Sequence, residues 1–222
     1  MAKPPHSSTA PANAAATHLP YCELDRAAPL AVLGCAVAGI VSATFYAVLP
    51  AWMQANEVSQ ANISLFMLSA VLGGLAFQVP VGRLSDQFDR RALLGALAIG
   101  FALAAILLVN VPRTLAIIVP VTAVLGGFMS TLYPVCVSNA MDNMSGERVV
   151  SISSRLILVS GIGSTIGPFT GSWIMRRLDI DGVLYFMAAV AAVLGVAAFA
   201  RTFMKPDAVH EDRPFVVVRR RQ

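Results

Sequence analysis

The chain has 222 residues, of which 57% are hydrophobic and only 13% are Asp, Glu, Lys or Arg. A soluble domain of this size could not bury so much apolar surface, and its mean hydropathy of +0.71 excludes a disordered chain, a secreted disulfide scaffold and most soluble enzymes. In so apolar a chain the net charge of +4 belongs to loops at a membrane surface and not to a nucleic-acid site.

In chain order, residues 1–26 are rich in Ala, Pro, Ser and Thr and lack the apolar core of a signal peptide, so they read as a flexible tail. Six apolar segments follow, at about 29–52, 63–81, 92–111, 115–138, 149–175 and 182–203. Each is about the 20 residues needed to span roughly 30 Å of hydrocarbon. A charged tail over 205–222 ends in Arg219, Arg220 and Arg221. The apolar runs are continuous and not alternating, which speaks against membrane β-strands. The expected fold class is an all-α membrane protein with six transmembrane helices.

The basic residues set the expected orientation. Thirteen of the sixteen Lys and Arg fall in the two tails, between helices 2 and 3, and around the start of helix 5. Only Arg113, Arg176 and Arg177 fall on the other side. Both termini are therefore expected in the cytoplasm, which requires an even number of spans.

Site chemistry is sparse. Cys22, Cys35 and Cys136 form no zinc or redox spacing. His6, His18 and His210 all lie in the tails, and no acid falls in the middle of an expected span. A membrane enzyme is disfavoured, and no cofactor or metal is expected. Proton coupling would have to use a group at a cytoplasmic edge or on another subunit. Asp86 is the best edge candidate for gating, and a helix-terminus cap with Arg90 or Arg91 nearby is its plainer role.

The sharpest motif is Gly82-Arg-Leu-Ser-Asp86-Gln-Phe-Asp89-Arg90-Arg91, expected as a cytoplasmic loop between helices 2 and 3. It resembles the signature loop of the major facilitator superfamily, Gly-x-Leu-Ala-Asp-Arg-x-Gly-Arg-Arg. Gly82, Leu84, Asp86, Arg90 and Arg91 match; Gln87 and Asp89 depart from it. A glycine allows close approach of helices, an aspartate suits a neighbouring helix N-terminus, and arginines anchor at headgroups. In helix 5, Gly163, Gly167 and Gly171 recur every four residues and form a smooth ridge widened by serines. Pro168 is expected to bend or loosen that helix. This stretch resembles the Gly-Pro motif of a fifth helix in many antiporters of the superfamily.

Taken together with Pro29-Leu-Ala-Val-Leu-Gly34, Leu132-Tyr133-Pro134 and Asn139-Ala-Met-Asp142, the region from Ala28 to Phe203 resembles the C-terminal six-helix half of a bacterial permease of the YcaD type. The resemblance implies a domain over 27–204 built from two inverted three-helix repeats, about 27–112 and 113–204, between the two tails. It implies a transporter of the bacterial inner membrane that moves a small solute by alternating access. Helices 1 and 4 would line the solute path, helices 2 and 5 would face a second half, and helices 3 and 6 would face lipid. Candidate solute-facing residues are Ser42, Tyr46, Gln78, Ser130 and Tyr133. The hydroxyls equally suit bonds to their own helix, and the tyrosines an interfacial belt. The expected partners are the lipid bilayer, a small-molecule solute, and either a second copy or a separate N-terminal half. In a symmetric pair Asp86 would meet the start of helix 5, around residues 148–151, in the other copy. The alternative reading is a truncated fragment of such a permease that does not transport.

Overall fold

The computed structural model describes residues 29–112, 114–141 and 149–204. The tails expected at 1–26 and 205–222, and with them Arg113, Asp142 and Arg148, lie outside the described residues. Six α-helices and no strand occur among the described residues: α1 Pro29–Ala55, α2 Gln60–Gln87, α3 Arg90–Asn110, α4 Leu115–Met141, α5 Val149–Arg177 and α6 Gly182–Met204.

Each helix reproduces one of the six apolar segments, and most are longer than their apolar run. Hydropathy marks the stretch suited to lipid, whereas the backbone ladder continues until a residue breaks it. After α1 the break is Glu57, which takes a left-handed backbone with φ of 59°. The Val58 amide turns back to the Met53 carbonyl at 3.1 Å. At the start of α3 the Asp89 carboxylate accepts the Arg91 amide at 3.0 Å. At the start of α6 the Asp181 carbonyl accepts the Leu184 amide at 3.1 Å.

Five helices, α1 to α4 and α6, are long and apolar enough to cross a membrane. The 29 residues of α5 would reach about 44 Å. Its glycines, serines and threonines dilute its hydropathy, and it falls outside that set of five. Those same small residues let it pack closely. α5 runs without interruption as a helix through Pro168.

Packing is organised by three helix pairs: α1 with α5, α2 with α4, and α3 with α6. The first two crossings share one pattern. Gly39 of α1 lies against the Ser160 carbonyl of α5, and Gly163 of α5 against the Ala36 carbonyl of α1. Gly73 of α2 lies against the Ala123 carbonyl of α4, and Gly126 of α4 against the Ala70 carbonyl of α2. Each crossing therefore sets small-x-x-Gly on one helix against small-x-x-Gly on the other. Neither leaves room for a Cβ, so the backbones themselves are in contact. The third pair is reciprocal too: Gly95 receives the Phe199 ring and Gly195 receives Ile99. Exchanging helices 1–3 with helices 4–6 carries this set of pairings onto itself.

The core lies around α1, where Phe45, Leu49, Trp52 and Met53 are almost fully buried, and it is completed by Phe66, Phe101 and Leu132. The outer faces are apolar as well. α2 is the least buried of the five apolar spans, exposing Leu68, Leu72, Leu75 and Val79. α5 exposes Ile157, Ile162, Ile166, Phe169 and Trp173.

Candidate functional site

The segment Gly82–Arg91, expected as a loop, is helical as far as Gln87, and the connection between α2 and α3 is only Phe88 and Asp89. Nothing between Arg83 and Gln87 breaks a helix, so α2 carries most of the motif on its last turns. Gly82 was expected to allow close approach, but nothing lies within 4 Å of where its Cβ would stand. Leu84 is also exposed.

Asp86 likewise departs from expectation. Its side chain is 78% exposed and its carboxylate stands 3.9 Å from the Arg90 guanidinium, a loose ion pair within the turn. The helix N-terminus is served instead by Asp89, one of the two residues at which the motif departs from the family pattern. An Asp immediately before a long apolar run is itself a start signal, and that feature could have found it.

Arg90 is the member of the motif that joins elements. Its Nε donates to the Ser85 carbonyl of α2 at 3.3 Å, and its Nη1 donates to the Ser138 carbonyl of α4 at 3.0 Å. One guanidinium thus gathers carbonyls from the C-terminal ends of two helices, where the helix dipole is negative. Arg91 is half-buried beside it in the first turn of α3.

The opposite end of the bundle has its own tie. Trp52, at the end of α1, donates its indole N–H to the Asp181 carboxylate in the α5–α6 turn at 2.8 Å. Sequence spacing gave no sign of this bond, because 129 residues separate its partners. Together, Arg90 with Ser138 and Trp52 with Asp181 fix which turns share an end: the α2–α3 turn with the end of α4, and the end of α1 with the α5–α6 turn.

Among the solute-facing candidates, the hydroxyls turn back on their own helices. Ser42 Oγ donates to the Gly39 carbonyl at 3.4 Å, and Ser130 Oγ to the Gly127 carbonyl at 3.2 Å. Ser130 also lies against Gly74 of α2. Tyr46 and Gln78 are exposed, on α1 and α2, and Tyr133 is half-buried on α4. Tyr133 stands near Cys35 of α1 and Cys136 of α4, both buried, and Cys136 Sγ lies against Gly34 of α1.

The helix 5 ridge faces inward. Gly163 lies against Ala36, Gly167 against Ile40 and Thr44, and Gly171 against Thr44. Pro168 is half-buried beside them. The register advances in the same direction along both helices. The surface that α5 presents outward is its large apolar face and not the glycines, so any partner would meet bulky side chains there.

No group of three or more His, Cys, Asp or Glu able to hold a metal occurs among the described residues. The described acids, Glu57, Asp86, Asp89, Asp179 and Asp181, stand at helix ends or in turns.

A sequence model of the Major Facilitator Superfamily matches residues 31–219. The chain belongs to the major facilitator superfamily. It is 29% identical over 189 residues to an uncharacterized MFS-type transporter YcaD of Shigella flexneri serotype 5b, covering 85% of this chain and 47% of that protein. It is 31% identical over 164 residues to the YcaD protein of Escherichia fergusonii, covering 74% of this chain and 42% of the relative. The chain thus spans just under half the length of these superfamily relatives. Membership and the long apolar helices make it an integral multi-pass membrane protein of a transporter family.

Proposed function

We propose that this chain is a half-transporter that moves a small solute across the bacterial inner membrane by alternating access, after pairing with a second six-helix unit. The observation that carries the reading is the pair of broad apolar faces on α2 and α5, in a chain that spans just under half of relatives named as transporters. On this reading α5 is the sixth span and both termini are cytoplasmic. The reciprocal pairings α1–α5 and α2–α4 then reflect two inverted repeats, about 27–112 and 113–204. Helices α1 and α4 line the solute path, with Ser42, Tyr46, Ser130 and Tyr133 as candidate contacts. Gln78 stands on the α2 face that meets the second unit. Gly82, Leu84 and Asp86 stand on the exposed last turns of α2, and Arg90 and Arg91 hold the cytoplasmic end. The second unit is a copy of this chain or a separate N-terminal half.

Purified protein is sized in detergent by light scattering and then reconstituted for uptake of fluorescent amphipathic solutes. A twelve-helix particle with saturable uptake supports the reading. A lone six-helix particle that transports nothing, even when co-expressed with candidate N-terminal halves, favours the non-transporting fragment.

A further inference from the structure

Two arginines stand where a membrane protein of this orientation places few. Arg176 and Arg177 close α5 at the end of the bundle that carries the Trp52–Asp181 tie. Both are exposed, and neither side chain has an ion-pair or hydrogen-bond partner among the described residues. The nearby acids are already engaged. Asp179 accepts the Ile180 amide at 2.7 Å and Asp181 accepts the Trp52 indole. Positive charge at a helix C-terminus is favourable in itself, which explains one arginine but not a neighbouring receptacle.

That receptacle is a groove of about 380 Å³ between the end of α5 and the start of α6. Its walls include Ile174, Leu178, Phe186 and Ala189, with Tyr185 and Asp179 as its polar members. The size is within the range of small-molecule sites, roughly 300–1,000 Å³. Arg177 is not itself a wall of the groove, but it follows Ile174 by three residues and precedes Leu178, both of which are, so helical spacing sets it beside them. Arg176, two positions from Ile174, is placed on the opposite helix face by the helical repeat. Tyr185 and Trp173 are each about half exposed, and Phe169 more so, as suits aromatic side chains at a headgroup boundary.

We propose that this groove binds an anionic phospholipid, with an acyl chain between α5 and α6 and the phosphate on the Arg177 guanidinium, Arg176 adding to the local field. An apolar slot with a cation at one end matches the two ends of such a molecule. The last carbonyls of α5 and the Asp179 carboxylate in the groove wall both repel an anion, so phosphate binding there depends on the guanidinium. This site rests on the membrane character of the chain and is independent of whether the chain transports.

The purified full-length chain, in a delipidating detergent, is titrated with phosphatidylglycerol and the complexes are counted by native mass spectrometry. Phosphatidylcholine and glycerol 3-phosphate serve as separate probes. One phosphatidylglycerol should be retained preferentially. Arg177→Gln should weaken it about tenfold or more, as expected for losing a hydrogen bond to a charged group. Arg176→Gln should weaken it less. Ala189→Phe, an exposed position, should fill the groove and reduce binding while leaving both arginines in place. Elution volume and circular dichroism establish that each variant is folded. Equal retention by wild type and Arg177→Gln, equal retention of phosphatidylcholine, or equally strong glycerol 3-phosphate binding that survives Ala189→Phe would each overturn the proposal.

Discussion

Replacing Gly73 by alanine sets two effects against each other. In a helix, alanine is favoured over glycine by about 1 kcal/mol, because glycine loses more backbone freedom. Against this, a methyl group at Gly73 would collide with the Ala123 carbonyl oxygen and stand 2.5 Å from the Ala123 carbonyl carbon, on a neighbouring backbone and not on a movable side chain. Carbon atoms prefer about 3.5–4.0 Å, so α2 and α4 would have to separate by at least about 1 Å. A gap of that size forfeits up to about half of the dispersion energy along the crossing. Overpacking costs about 1–3 kcal/mol in cores whose side chains can shift, and a backbone obstacle puts this site at the upper end. The net expectation for Gly73→Ala is destabilisation by about 2 kcal/mol. Gly126→Ala should match it, since a methyl there would meet the Ala70 Cα at 2.6 Å. Gly161 of α5 and Gly82 of α2 provide the control, because no heavy atom lies within 4 Å of either position. Gly161→Ala and Gly82→Ala should be neutral or stabilising by up to about 1 kcal/mol. The assay is reversible unfolding in mixed micelles by SDS titration, followed by circular dichroism. If Gly73→Ala is as stable as Gly161→Ala, the close crossing of α2 and α4 is wrong.

Other expectations follow from the ties at the two ends and from the buried side chains. Arg90→Gln should cost about 1–3 kcal/mol in the same titration, because the carbonyls of Ser85 and Ser138 lose a charged donor. Asp86→Asn should change stability by no more than a few tenths of a kcal/mol, its carboxylate being mostly exposed. Trp52→Phe removes the donor to Asp181 and should cost about 1.5–3 kcal/mol, whereas Asp181→Asn keeps an acceptor oxygen and should cost less. Glu57→Gly should stabilise the α1–α2 turn by about 1 kcal/mol, since its left-handed backbone carries no penalty in glycine. Cys35 and Cys136 are fully buried, so in a Cys22→Ser background a bulky maleimide should label neither until the protein is denatured; rapid labelling of that folded variant would show that α1 and α4 do not pack as described.

The apolar composition and the lengths of its runs determined that this chain is helical, lies in a membrane and divides into six segments. The lipid imposes this, since each backbone donor must be satisfied within its own segment. The motif Gly82–Arg91 was legible enough to indicate the family, yet its use was not. Of its aspartates, Asp89 carries a start signal in its place just before the apolar run, but that Asp86 faces outward follows from the position of the α2–α3 turn. Helix faces were less legible still. In helices apolar nearly all round, periodicity carries little information about which side is inside. Glycine spacing identified the α5 ridge as a packing surface, but that it meets α1 and not a second unit depends on how Gly163 and Gly167 register with Ala36 and Ile40. The contacts Trp52–Asp181, Arg90–Ser138 and Gly34–Cys136 belong to the tertiary structure alone. Each joins helices distant in the chain, and local sequence cannot encode a distance that exists only once the bundle has closed.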